Sequence, residues 1–385
     1  MAGFTSMDDL ISEVSASGKR LTTFWNKNML PTTVAIAGEW HCLARGAGNP
    51  PADTLYNTGT NLTFVPVRDS TTGATGIRHG GDVAPDYKIL SAASAFSAAA
   101  TTMPAIAVLV DLIGYIRVTS TTLNTSQAVT NTLSTISTFT ADAGTDICTH
   151  TGYNLLRYTR VRLTTSGTLP AGLATGTDYY VIKLSDTTCK FATSYANAVA
   201  GTPIDITDAG SGTHNIQCLL PRYTNGAGVQ AFMWANNATP LGAATPNLSL
   251  ADYTNSEQAA SRVTPAVLPI GKTACPNGQI LYSGTGAGKY GPFMPLQGAD
   301  AGVAQVNNIQ LSVSYVSGEF SVGLAYPLAI MPMTTIGVAC ERDFINQLPS
   351  MERIYDGANL TWLLYHGAAT PTNSAFYGHI TTMWG

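Results

Sequence analysis

The strongest constraint on the fold is a rhythm of short apolar runs cut by turn residues, clearest between Phe139 and Ile216. Arg160-Val-Arg-Leu163 alternates apolar with polar, and Tyr179-Tyr-Val-Ile-Lys-Leu184 is apolar over a strand's length. Ser166-Gly167, Pro170 to Gly172 and Gly176 lie between them. Glycine and proline at such points break regular structure and fix turns. Lys190-Phe191 and Ile204-Asp-Ile206 supply further strands, and Asp208-Ala-Gly-Ser-Gly212 is a loop. Short strands with turns at this spacing predict a small β-sandwich.

The same punctuation extends along the chain. Thr33–Ala37, Leu62–Val67, Ala107–Val110 and Tyr115–Thr119 read as strands before this module, and Gly228–Trp234, Ile280–Tyr282 and Phe320–Leu324 after it. Arg45–Pro51 and Asp69–Gly76 read as loops that reach other subunits. Ile309, Leu311, Val313 and Tyr315 form a period-two face followed by Ser317-Gly318, which predicts a hairpin with the strand from Phe320. Helical spacing is confined to residues 6–17, 251–261 and 341–348. The fold class is therefore mainly β. Residues 138–218 form the insert, and residues 30–137 and 219–385 form a discontinuous β host, because an inserted unit leaves its host with its ends close together.

Residues 1–29 form an amino-terminal arm. Ser6-Met-Asp-Asp9 is a capping sequence, and Met7, Leu10, Ile11 and Val14 recur at helical spacing before Gly18 ends the turn. With Phe24 and Trp25 just beyond, these six residues are the candidate subunit interface. Two placements are open for the arm: docking on a neighbouring subunit, or covering the protein's own core.

Composition limits the partners. A 45% hydrophobic content places the chain among globular proteins, while charged residues are only 11%, against about 25% in an ordinary soluble domain. The exterior is therefore dominated by uncharged side chains, which suits burial in an assembly. A net charge of −4 with no basic stripe removes the footprint of nucleic-acid binding. Met103–Ile116, the longest apolar run, contains Pro104 and Asp111 and is too short for a membrane span, so it reads as buried strands. The amino terminus has neither the basic nor the long apolar region of a secretory signal, so the protein is expected to stay where it is made or leave by lysis.

No motif points to catalysis or to a cofactor. Cys42, Cys148, Cys189, Cys218, Cys275 and Cys340 are scattered without metal-ligand spacing and read as reduced, buried thiols; a bridge from Cys148 to Cys218 is disfavoured in a cytoplasm. In Gly284-Thr-Gly-Ala-Gly-Lys-Tyr-Gly291 the first glycine of a phosphate loop would fall on Ser283, and Tyr290 replaces the magnesium-binding hydroxyl residue. The six histidines show no metal-ligand pair. The densest polar cluster, Arg78-His-Gly-Gly-Asp82, reads as a folded-over loop network or part of a subunit contact.

Gly167-Thr-Leu-Pro-Ala-Gly-Leu-Ala-Thr-Gly-Thr-Asp-Tyr-Tyr-Val-Ile182, with Cys189–Ser194 and Gly201–Gly212, resembles the immunoglobulin-like insert of tailed-phage virion proteins. Gly286–Leu296 and Glu341–Pro349 are similar to phage capsid-region proteins in general. The resemblance implies an immunoglobulin-like β-sandwich set in a jelly-roll-like or β-sandwich host. It also implies a non-enzymatic cement or decoration protein on the capsid exterior, assembled in the host cytoplasm. Its partners would be the phage major capsid protein and further copies of itself, with no specific nucleic acid and no membrane. The alternatives are a major capsid protein, disfavoured by the lack of a long spine helix, and a tail-associated receptor-binding adhesin, for which 17 tyrosines would supply a saccharide-binding surface.

Overall fold

A computed structural model describes residues 4–28, 38–53, 59–68, 76–98, 104–119, 124–236, 247–265, 278–280, 291–314, 318–345, 352–368 and 374–385. They are mainly β. The expected strand Thr33–Ala37, most of the loop Asp69–Gly76, Cys275 and all of the Gly284 loop except Gly291 lie outside the described residues.

The host is built around a seven-stranded sheet whose axis is the strand Pro104–Val118. Phe320–Pro332 pairs along one side of it, and Leu360–His366 followed by Thr63–Pro66 along the other. The two strands expected at Ala107–Val110 and Tyr115–Thr119 are thus one. Val110, Leu112, Phe232, Trp234 and Val322 enter a core shared with a three-stranded sheet of Leu248–Asn255, Val303–Leu311 and Gln127–Ala128. Ala107, Leu109, Met331, Trp362 and Leu364 enter a second core with Trp25, Leu90, Phe376 and Ile380 of a six-stranded sheet. Being covered on both faces explains why Pro104–Val118 is almost unbroken in its apolar character.

Asp111 lies in the middle of that run, and it is fully buried. It receives a two-pronged contact from Arg222, Nε to Oδ2 at 2.8 Å and Nη2 to Oδ1 at 2.6 Å. The Asn359 main-chain N–H also donates to Asp111 Oδ1, at 2.9 Å. The guanidinium donates in addition to the carbonyls of Val67 and Leu112, each at 2.8 Å. Four of the five guanidinium N–H groups and both carboxylate oxygens are thereby engaged, the kind of pairing under which a buried charge pair is tolerated in a core.

The insert folds as a closed antiparallel barrel, where the sequence suggested a sandwich of open sheets. Its order is Ile147–His150, Thr188–Ala192, Asp178–Lys183, Arg160–Thr165, His214–Cys218 and Ser134–Asp142. Closure removes both sheet edges, and Phe139, Val161, Leu163, Val181, Phe191 and Ile216 fill the interior. Ile204 to Ile206 is not a strand, although Ile206 is buried in the barrel core, and a short helix, Tyr195–Ala200, was not legible in the sequence. Ser134 pairs directly with Cys218, so the chain enters and leaves the barrel side by side. Cys148 and Cys218 are both free thiols.

Three expectations require correction. The hairpin from Ile309 to Leu324 does not form: Val303–Leu311 pairs with Leu248–Asn255, while Phe320–Pro332 pairs with Gln230–Ala235 and Pro104–Val118 in another sheet. The helical windows at 251–261 and 341–348 contain strands instead, Leu248–Asn255 and Cys340–Asp343, because cross-strand burial overrides weak helical spacing. The arm is also shorter than residues 1–29: Arg20–Asn28 pairs over its whole length with Ala375–Trp384 and belongs to the host sheet. No described helix is long and apolar enough to cross a membrane.

Two outcomes are expected. Arg222→Met should lower stability by about 3–5 kcal/mol, because it strands a buried carboxylate; Arg222→Met with Asp111→Leu should recover part of that loss in urea unfolding. Replacing residues 134–218 by a short Gly/Ser linker should leave a cooperatively melting β protein, since the excised ends are neighbours. An insoluble product would show that the barrel belongs to the host's folding unit.

Candidate binding face

The six-stranded sheet turns one face to the core and the other outward, so alternate residues along each strand sort into two sets. Trp25, Ala93, Ala95, Phe376 and Ile380 face inward. Phe24, 73% exposed, points the other way. Outward neighbours are aligned in two rows across the strands. In the first, Glu341 lies opposite Ser94, Ser94 opposite His379, and His379 opposite Phe24. In the second, Phe96 lies opposite Tyr377, Tyr377 opposite Asn26, and Asn26 opposite Asn49. These residues line a cleft of about 430 Å³.

The close approach of the strands depends on Gly378. A side chain there would collide with the Ser94 carbonyl and the Trp25 ring. Because the glycine has none, Trp25 packs beneath the cleft with its ring centroid 5.3 Å from that of Trp362.

Hydrogen bonds fix the first row. Ser94 Oγ accepts the His379 main-chain N–H at 3.0 Å and lies 2.7 Å from Nδ1 of the same residue. The hydroxyl is free to donate to Nδ1, and the other ring nitrogen, Nε2, lies 3.6 Å from Glu341 Oε1. A serine, a histidine and a carboxylate in line invite comparison with a hydrolytic triad. Here Ser94 is buried and bound twice to one histidine residue, so the row orients an imidazole and a carboxylate toward the cleft. The aromatic walls pack in pairs: Phe96 and Tyr377 stack at 5.4 Å, and the Phe24 and His379 centroids are 5.8 Å apart.

Of the six residues picked from sequence, only Phe24 and Trp25 reach this cleft, and they do so from opposite sides of the sheet. The other four lie on the helix Met7–Ser17, capped by the Ser6 side chain and ended by Gly18 in a left-handed conformation, as the spacing predicts. Leu10 is buried, Val14 partly so, and Met7 and Ile11 are 49% and 57% exposed. Asn26, Asn49, Ser94, Phe96, Glu341, Tyr377 and His379 were missed. The alternation of Phe376, Tyr377, Gly378, His379 and Ile380 was the available signal, but their partners come from distant segments.

The Arg78–Asp82 cluster is a loop network. His79 is buried; its Nε2 bonds the Ala358 carbonyl at 2.9 Å, and Lys88 Nζ donates to Nδ1 at 3.0 Å. Lys88 also contacts the Gly81 carbonyl and lies 3.4 Å from Asp356, while Asp82 pairs with Arg68. Among the described residues no three His, Cys, Asp or Glu side chains are placed to hold a metal ion. In comparisons with known proteins the chain matches no family model, no curated protein and no solved structure.

Burial, and then the Lys88 charge, lower the His79 pKa to about 3, and burial alone lowers His366 to about 3. In the unfolded chain both take up protons near ~6.5. Between these values the unfolded state binds more protons than the folded one, so stability is intact above ~6.5 and is lost as pH falls toward about 3. The melting temperature should therefore decline through this window, and His79→Gln should flatten the decline; identical slopes for both proteins would remove His79 from the account.

Proposed function

We propose that the chain is a non-catalytic structural protein of a tailed-phage virion, attached to the outside of the capsid as a cement or decoration protein. The observation that carries this reading is the amino-terminal helix. It is capped, anchored through Leu10 and tied down through Lys19, which bridges Glu13 and Asp86, yet it turns Met7 and Ile11 to solvent. A fixed helix with an uncovered apolar stripe suits docking into a groove of a larger surface. The low charge content supports the same reading, because attachment then rests on apolar and uncharged polar contacts.

In this reading the stacked host sheets are the jelly-roll-like body, and the barrel is the counterpart of the immunoglobulin-like insert. Binding to the closed shell and not to free subunits stabilises the shell by mass action over many sites. The major capsid protein is the partner, alongside further copies of this chain, and no nucleic acid or membrane is engaged. The second reading, a tail-associated adhesin, is favoured by the aromatic cleft.

Added to purified capsids that lack it, the protein should raise their rupture temperature, saturate at a fixed ratio to the major capsid subunit, and remain bound at high salt because few charges are available to be screened. Deleting residues 1–18 should weaken attachment more than it lowers the melting temperature of the isolated protein. Closed shells formed by this chain alone would replace the proposal with a major capsid protein, and location at a tail tip would replace it with an adhesin.

A further inference from the structure

We infer that the cleft on the outward face of the six-stranded sheet binds a neutral saccharide, with a sugar ring packed on Phe24 and its hydroxyls held by Asn26, Asn49 and Glu341. This does not rest on the capsid reading, which uses the helix Met7–Ser17.

Charge narrows the ligand first. Among the described residues no lysine or arginine lines the cleft, and its formally charged lining group is the Glu341 carboxylate, so a neutral ligand suits it better than phosphates, acidic sugars or nucleic acids. Shape narrows it further. The cleft lies over the face of the sheet, above inner strands that pair on both sides, so an added peptide strand finds no free ladder across its floor. At about 430 Å³ it falls within the range of small-ligand sites, ~300–1,000 Å³.

The chemistry of the lining then selects a ring that is apolar on its face and polar on its rim. Phe24 is 73% exposed, with one side toward His379 and the other open. Next to it, the Asn26 side-chain oxygen accepts the Asn49 main-chain N–H at 2.6 Å, which turns the Asn26 amide –NH₂ group away from that bond as a donor. Glu341 is 61% exposed, an acceptor held beside the His379 ring. Donor, acceptor and apolar wall thus converge from four strands and one short edge strand. A pyranose meets all three at once: its C–H face packs on the ring, and its hydroxyls both donate and accept.

The test is saturation-transfer NMR with the full-length protein and five probes: methyl α-glucopyranoside, N-acetylglucosamine, maltose, lactose and cellobiose. At least one should show transfer, strongest at its ring C–H protons. Its affinity should fall at least ~10-fold in Phe24→Ala, the loss of about 1.4 kcal/mol of contact, and severalfold in Glu341→Gln. Both side chains are largely exposed, so melting temperatures should be unchanged. Transfer to none of the five sugars, or equal affinity in wild type and Phe24→Ala, would overturn the assignment. A protein that cements capsids and ignores sugars loses this inference and keeps the previous one; a sugar binder that never attaches to shells does the reverse.

Discussion

The buried contact between Asp111 and Arg222 is the constraint on which the host depends. Asp111 sits in the middle of the central strand, and Arg222 follows closely after the chain leaves the barrel. Between them they reach Val67, Leu112 and Asn359, so one ion pair ties together segments from before the insert, after it and near the carboxyl end. Hydrophobic burial favours compaction of both halves without specifying how they meet. The ion pair specifies it, because any other arrangement would leave a carboxylate or a guanidinium in an apolar core without a partner.

From that fixed point the layers follow. The central sheet supplies a face to each of two cores, and the six-stranded sheet closes the second core with Trp25, Phe376 and Ile380. Once those inward positions are set, the strand repeat assigns their neighbours to the outside. Phe24, Tyr377 and His379 therefore occupy the outer face as a consequence of how Trp25, Phe376 and Ile380 are buried. Gly378 lets the two requirements coexist at one crossing.

Much of the local structure was legible in the sequence. Arg160–Leu163, Tyr179–Leu184 and the strand from Phe320 carried their own periodicity, and the amino-terminal helix carried its cap and its stop. Pairing was not legible. Ile309 and Leu311 lie at the end of a strand whose partners are some sixty residues before it and near Gln127, which a turn signal at Ser317-Gly318 does not reveal. Asp111 read as an interruption of an apolar run, because its partner is Arg222, far along the chain. The cleft was hidden for the same reason: its residues come from five strands spread from Phe24 to His379, and only hydrogen-bond register aligns them. Phe24 and Trp25, adjacent in sequence, looked like one apolar patch, yet the strand sends them to opposite faces.

The pairing of Ser134 with Cys218 also determines how the molecule carries load. A pull on the barrel from outside reaches the host through two adjacent strands acting in parallel, so the barrel is not stretched from end to end. Tension that spreads the two attachment points, by contrast, meets their ladder one hydrogen-bonded rung at a time, the weak unzipping direction of a β pair. The Thr224 hydroxyl, which accepts the Leu156 N–H at 3.0 Å, and Arg353, which donates to the Tyr153 carbonyl at 3.4 Å while its guanidinium lies over the Tyr87 and Tyr355 rings, brace the barrel against the host beside that ladder. These contacts hold the barrel against the host at its root, so a push on its tip is passed to the host as torque across that braced junction.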